Sequence, residues 1–399
     1  MTDAVFLTGG TGFLGMELLV RYLERTDRPV HVLVRADSDT AAQARLRRTL
    51  VELFGADHPH DGRVTAVRGD ITRPGMAVAG GLDRLAERIG EIVHSAASVS
   101  FELGAQQARA INLDGTRRVL ELAERCHARG SLRRLSYVST AYVAGEHAGC
   151  FSEDQLDVGQ SFRNTYECSK FEAECMIARS HRELPLTVVR PSIVVGERAS
   201  GWTASFNVLY WPLRAFARGA YAALPARGDS PVDVVPVDYV ADATFALSQC
   251  PEACGATFHL TAGQHASTVG ELVELASAFF KRPAPRLVDP ALYRRVVHPL
   301  LVRAAADERS RRALRRSEIL FPYFAARVRF DDRRCRVALR DSGVETAPLS
   351  SYFERLMRFA VAAEWGRRRL PRAALRGRPS RPRTRVRAAV PSVPLVGAE

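Results

Sequence analysis

Residues 5–15, VFLTGGTGFLG, constrain this chain more than any other stretch. A short apolar run is followed by Gly9, Gly12 and Gly15 at intervals of three, and then by a helical pattern. Glycine is required where a chain turns sharply and where its backbone must approach a pyrophosphate closely. The helix that follows offers unbonded N–H groups and a partial positive charge to that phosphate. Such a trio is a weak signal in isolation, and a strong one between a strand and a helix at the start of a chain. Gly9, Thr11, Gly12, Phe13, Leu14 and Gly15 therefore form a candidate dinucleotide cradle.

The pattern downstream agrees. Apolar runs at Ala4–Thr8, Val30–Val34, Val64–Val67, Ile92–His94, Leu135–Ser139 and Thr187–Val189 alternate with helical segments near 13–25, 40–54, 104–128 and 165–180. Several runs are continuously apolar, as strands buried on both faces of a parallel sheet must be. The expected fold is α/β, a Rossmann-type doubly wound parallel sheet with a smaller, mainly helical C-terminal substrate region. Residues 1–195 would form the nucleotide-binding part and 196–366 the substrate part, which is free to return strands to the sheet. Helices are expected near 268–281, 291–320 and 349–365. The aromatic stretch 205–225 suits either a lid over a bound acyl group or plain core.

The net charge of +13 would suggest a nucleic-acid partner if it were spread over the surface. Ten of the arginines fall within residues 367–387, where there is no acid, so the folded body is only mildly basic. No nucleic-acid role is expected. The segment 367–399 reads as a disordered arginine- and proline-rich tail, whose removal would leave activity untouched and whose charge suits peripheral contact with an anionic membrane. Seven cysteines without a CxxC pair argue against a zinc site or a disulfide scaffold, so no metal is expected and a cytoplasmic location is. The charged MTDA start gives no signal peptide, and no run is long and apolar enough to span a membrane.

The end of the second strand bears on the cofactor. A ribose 2′-hydroxyl is usually held there by an acid and a 2′-phosphate by arginine. The sequence VLVRAD places Arg35 at that point, with Arg45 ten residues on and Asp37 nearby, which favours NADPH over NADH. RGDIT puts Asp70 and Ile71 after the third strand, and HSAASVSF puts the small Ala96 and Ala97 after the fourth.

Catalytic residues are suggested by NTYECSK, residues 164–170. Lys170 is one of only two lysines in the chain, against 55 arginines, and it follows Tyr166 by four residues. Chance would give such a pair roughly 0.05 times in this chain. On a helix, residues i and i+4 share a face, and an ammonium there would favour the phenolate and lower the tyrosine pKa. A hydride transfer to a carbonyl leaves charge on oxygen, which such a phenol can protonate. The fifth strand ends SYVSTAY, so Ser139 or Thr140 could hold the same oxygen. Asn112 could order a water beside Lys170 or serve as a buried structural amide.

The motifs TGGTGFLG, VLVRA, GDIT, HSAASVSF, INLDGT, YVSTAYVAG, NTYECSKFEAE and VVRPSIVVGE resemble, in this order, the extended short-chain dehydrogenase/reductases. Among them the chain is most similar to the thioester reductase and fatty acyl-CoA reductase group, over roughly residues 4–280. The resemblance implies catalysis by Thr140, Tyr166 and Lys170, with Asn112 in support and Thr140 preferred to Ser139. It implies NADPH binding by the glycine loop, Arg35, Arg45, Asp70, Ile71, Ala96, Ala97, Ser98, Tyr166, Lys170, Pro191, Ser192 and Ile193. The implied reaction reduces an acyl thioester, on CoA or an acyl-carrier protein and received in trans, to an aldehyde or further to an alcohol. Two other readings stand beside it. One is a nucleotide-sugar epimerase or a sterol or alcohol dehydrogenase of the same superfamily. A dehydratase is disfavoured, because Ala141 and Tyr142 occupy the positions of its acidic pair. The other is a redox-inert NADPH-binding regulator, against which the intact Tyr166 and Lys170 count.

Overall fold

The computed structural model describes residues 3–180, 183–304, 308 and 321–375. Seven strands form its central sheet: β1 (Ala4–Thr8), β2 (Val30–Val34), β3 (Val64–Arg68), β4 (Ile89–His94), β5 (Arg134–Val138), β6 (Leu186–Pro191) and β7 (Thr257–Leu260). All neighbours run parallel, in the order β3-β2-β1-β4-β5-β6-β7. The first six strands lie where the apolar runs place them, within three residues at any end. β7 is a return strand from the second half of the chain, and four residues between a glycine-containing turn and a loop are too short to announce it.

Alternation along β1 explains the two covered faces. Val5 and Leu7 join one core cluster with Val30, Val32 and Val93, while Ala4 and Phe6 join another with Ile92, Leu135 and Tyr137. Successive strand residues point to opposite faces, so both faces must be apolar. Helices α1 (Phe13–Arg25), α2 (Asp39–Phe54), α3 (Gly81–Ala86), α4 (Ala105–Asn112), α5 (Asp114–Ala128) and α6 (Thr165–Ser180) supply the covering layers of the first half. The expected helix at 104–128 is thus two helices, hinged at Leu113. In the second half α8 (Val237–Gln249) packs against α1.

A third cluster serves the C-terminal part. Helices α7 (Tyr210–Ala217) and α9 (Val269–Phe280) and the helix Phe353–Ala362 share Leu213, Phe216, Leu272, Phe353 and Leu356. Within the aromatic stretch 205–225, Tyr210 and Phe216 are therefore core, whereas Trp211 is half exposed. The helix expected over 291–320 is helical from Pro290 to Ala304 and otherwise falls largely outside the described residues.

The expected tail is corrected at its start. Residues 367–375 pack onto the body, while 376–399 lie outside the described residues. Arg372 is only 2% exposed. Its Nε lies 3.0 Å from a Glu17 oxygen, and another guanidinium nitrogen lies 2.5 Å from Glu197. The Trp202 indole donates to the Leu370 carbonyl at 3.1 Å, and the Arg372 guanidinium lies over the Trp202 ring. Burial pushes the Glu17 carboxyl up to about 7, against the pull of Arg372 and Arg21. A buried carboxylate stripped of its cation is strongly destabilising. Arg372→Ala is expected to remove about 3–5 kcal/mol of stability in urea unfolding; an unchanged midpoint would show the contact to be idle.

Candidate active site

The strand order reverses between β1 and β4, and loops leaving such a point form a crevice at the carboxyl ends of the strands. The glycine loop makes that crevice narrow. Gly9 sits at φ +76°, and a Cβ on it would stand 2.7 Å from the Ala96 nitrogen. A Cβ on Gly15 would stand 2.0 Å from the Gly9 carbonyl oxygen. The N-terminus of α1 has no side-chain cap and no acid in its first turn, so its free N–H groups face the crevice without competition.

The crevice opens into a cavity of about 630 Å³. Its wall contains Gly9, Thr11, Gly12, Phe13, Leu14, Gly15, Arg35, Arg45, Asp70, Ile71, Ala96, Ala97, Pro191, Ser192 and Ile193, and also Ser139, Thr140, Tyr166 and Lys170. Arg35 and Arg45 are exposed at one end, linked by a bond of 3.1 Å from the Arg45 guanidinium to the Arg35 carbonyl. Asp37 is not in the wall. Two expected residues are also missing from it. Asn112 is buried and accepts the Ser98 N–H at 2.8 Å, while its amide nitrogen donates to the Ser98 carbonyl and to Ser169 at 2.9 Å. These two residues clamp the loop after β4 to α6, the Asn112 side chain spending its bonds on Ser98 and Ser169.

The two candidate hydroxyls are distinguished by what lies beneath them. Ser139 donates to Glu174, which is bound by two nitrogens of Arg190 at 2.8 and 2.5 Å; Arg190 in turn reaches His259. That network is buried on every side. Thr140 accepts the Tyr142 N–H at 3.2 Å as the cap of a short turn and donates to the Pro191 carbonyl at 3.4 Å, and its hydroxyl also acts on Tyr166. Thr140 is thus the hydroxyl presented beside the phenol.

Tyr166, Lys170 and Glu174 recur every fourth residue along α6 and share its inward face. Lys170 is almost fully buried; its ammonium donates to the Tyr137 hydroxyl at 2.8 Å and to the Val138 carbonyl at 2.9 Å. Burial pulls its pKa down to about 7, opposed by Glu174. The expected lowering of the Tyr166 pKa is not found. Burial pushes the phenol up to about 12, only partly offset by its bond to Thr140. Desolvation of the phenolate outweighs any help from a lysine drawn toward β5. His94, behind Lys170, is held neutral by burial and by that lysine.

Aromatic residues that the motifs did not single out complete the reacting end. Phe101 lies 5.9 Å from Tyr166 and is stacked on Tyr323, which meets Tyr142 edge-on. Tyr323 arrives from the C-terminal part, 156 residues beyond Glu167 of α6, and no local spacing predicts it. Of the aromatic stretch and its approach, only Ala204, Ser205, Asn207 and Val208 reach the cavity, so a lid made of the whole stretch is not what forms. Among the described residues no cluster of His, Cys, Asp or Glu could hold a metal, and no helix is long and apolar enough to cross a membrane. Asn112→Ala would leave the half-buried Ser98 N–H and carbonyl without the Asn112 amide. It is expected to cost about 1–3 kcal/mol in chemical unfolding; a neutral result would deny the clamp.

An NAD-binding family model described as male sterility protein matches residues 7–244, more than half of the chain. The fatty acyl-CoA reductase wat of Drosophila melanogaster is 28% identical over 280 residues, covering 61% of this chain and 53% of that protein. The isonitrile lipopeptide synthase of Streptomyces coeruleorubidus is 34% identical over 281 residues, covering 68% of this chain and 18% of that protein. The chain thus spans about half the reductase and less than a fifth of the synthase. Among solved structures, the terminal R domain from the myxalamid PKS-NRPS biosynthetic pathway is similar at a TM-score of 0.78 and 28% identity, with 92% of each chain covered. These likenesses bear out the doubly wound fold and the resemblance to thioester and fatty acyl-CoA reductases, and they imply a nicotinamide cofactor. The chain belongs to the male sterility protein family.

Proposed function

We propose that this chain reduces an acyl thioester, carried on CoA or on the phosphopantetheine arm of a carrier protein, using NADPH. The observation that carries the proposal is the meeting of the glycine cradle with Thr140, Tyr166 and Lys170 in one cavity. The cradle suits a dinucleotide, because the positions of Gly9 and Gly15 exclude any side chain and the α1 N–H groups are free. Arg35 and Arg45 stand where a 2′-phosphate would lie, which supports NADPH.

Bound reduced nicotinamide supplies the hydride. The Thr140 and Tyr166 hydroxyls are then the donors for the thioester carbonyl oxygen as charge develops on it. With its pKa raised, Tyr166 keeps its proton at neutral pH and acts as a proton donor, the form a reduction requires. Lys170 has one N–H beyond the two spent on Tyr137 and Val138, and that N–H is available to a ribose hydroxyl. Collapse of the tetrahedral adduct breaks the C–S bond, releasing thiolate and aldehyde; a second hydride would give an alcohol. Ser98 and Asn112 hold the cavity wall from behind. The names of the relatives, reductases of fatty acyl-CoA and a synthase that assembles lipopeptides, support the thioester reading.

The test is NADPH oxidation across acyl-CoA and acyl-carrier substrates with product identification. Tyr166→Phe is expected to lower kcat/KM by about 10²–10⁴. Turnover of a UDP-sugar or ketosteroid with no thioester reduced would overturn the proposal. Arg35→Ala is expected to weaken NADPH binding by about tenfold or more while NADH binding stays nearly constant; equal losses would remove Arg35 from the 2′-phosphate.

A further inference from the structure

Beyond the reacting end of the cavity lies a second hollow of about 40 Å³, room for about three groups the size of a water molecule. Tyr142, Ile193, Val208 and Tyr323 stand in the walls of both spaces and so form the partition between them. The far wall is apolar, built from Pro212, Leu272, Phe324, Val328 and Phe330. Asp233 also borders the hollow, but its carboxylate accepts the Ala262 N–H at 2.8 Å and is engaged with backbone.

Tyr323 is held in the partition from every side. Its hydroxyl donates to Glu167 at 2.6 Å and accepts from the Asn164 amide at 2.7 Å. Its ring is stacked on Phe101, meets Tyr142 edge-on and lies under the Arg163 guanidinium. Both hydrogen-bond partners flank Tyr166 in sequence, so the partition is fastened to the reacting helix itself. Val208 is held at φ +37°, a conformation a β-branched residue adopts only where its surroundings impose it.

We propose that the hollow is the subsite for the distal end of the acyl chain and that Tyr323 is its gate, setting the length of chain the enzyme accepts. The inference rests on the thioester reading above. A thioester carbonyl carries two arms. The thiol arm is rich in amides and ends in phosphate, so it belongs on the open, polar side of the cavity; the hydrocarbon arm is the one that gains from an apolar hollow. With Tyr323 as it stands its ring separates the hollow from the reacting end, and short acyl groups fit best. Without the ring, the hydrocarbon arm can extend into the hollow.

The experiment measures kcat/KM over saturated acyl thioesters lengthened one carbon at a time, for the wild type, Tyr323→Ala, and Tyr323→Ala combined with Leu272→Phe. Tyr323→Ala is expected to move the optimum to longer chains, with kcat/KM rising roughly fourfold per added methylene up to the new optimum. Leu272→Phe fills the hollow from the far wall and is expected to cancel the shift. If Tyr323→Ala does not fold, Val208→Ala takes its place, thinning the partition from its other side; it too is expected to lengthen the preferred chain. A wild type that reduces thioesters alongside folded variants with its own length profile overturns the subsite alone. A wild type that reduces none overturns the thioester reading, and the subsite with it.

Discussion

At Gly9 the first loop runs so near the chain leaving β4 that even a methyl group would collide with the Ala96 nitrogen, and at Gly15 helix α1 sits directly on the Gly9 carbonyl. These contacts between bare backbones fix how far α1 can approach the sheet at the point where the strand order reverses. The rest of the cavity takes its dimensions from them. The uncapped end of α1 is brought to the crevice floor, and the loop carrying Ala96 and Ala97 becomes the opposite wall. Arg35, at the end of the next strand, is left at the open end of the same space. A single added carbon at either glycine would displace all of these together, because the obstacle is main chain and cannot swing aside.

Polar residues below the cavity decide which groups above it are free to act. Glu174 engages Ser139 and Arg190, so the serine at the end of β5 is tied beneath the cavity, while the hydroxyl of its neighbour Thr140 meets only backbone there, the Pro191 carbonyl and the Tyr142 N–H. Asn112 satisfies both backbone groups of Ser98 and so holds the β4 loop still. Lys170 is drawn to Tyr137 and Val138 and loses its influence over the phenol, which burial then dominates. Each of these side chains is buried, and each is paired, as buried polar groups must be.

Much of this is legible in the amino-acid sequence because it depends on local chemistry. The glycine spacing of three, the continuously apolar strands and the four-residue Tyr166–Lys170 interval are all local patterns, and the corresponding elements lie where those patterns put them. What escapes is set by distant partners. β7 is four residues long and gains its place only by pairing with β6. Tyr323 meets α6 across 156 residues, and the division of labour between Ser139 and Thr140 depends on Arg190. The sign of the Tyr166 shift follows from desolvation, which belongs to the assembled site and has no counterpart in a motif. Arg372 misleads for the opposite reason: it lies among arginines that look alike, and only Glu17 and Glu197 single it out.

That arginine also governs the order in which the molecule can be completed. Helix α1 is made long before its partner: the Glu17 carboxyl at its buried face meets Arg372 only 355 residues later. Until then it has Arg21 one turn away on the same helix, and its raised pKa makes the protonated form accessible near neutrality. The sheet likewise remains unfinished until β7 has been made. The nucleotide-binding half is therefore not a unit that closes during synthesis while the remainder follows. Its first helix stays short of this second partner until residue 372 has been made, so consolidation of the first half depends on the second.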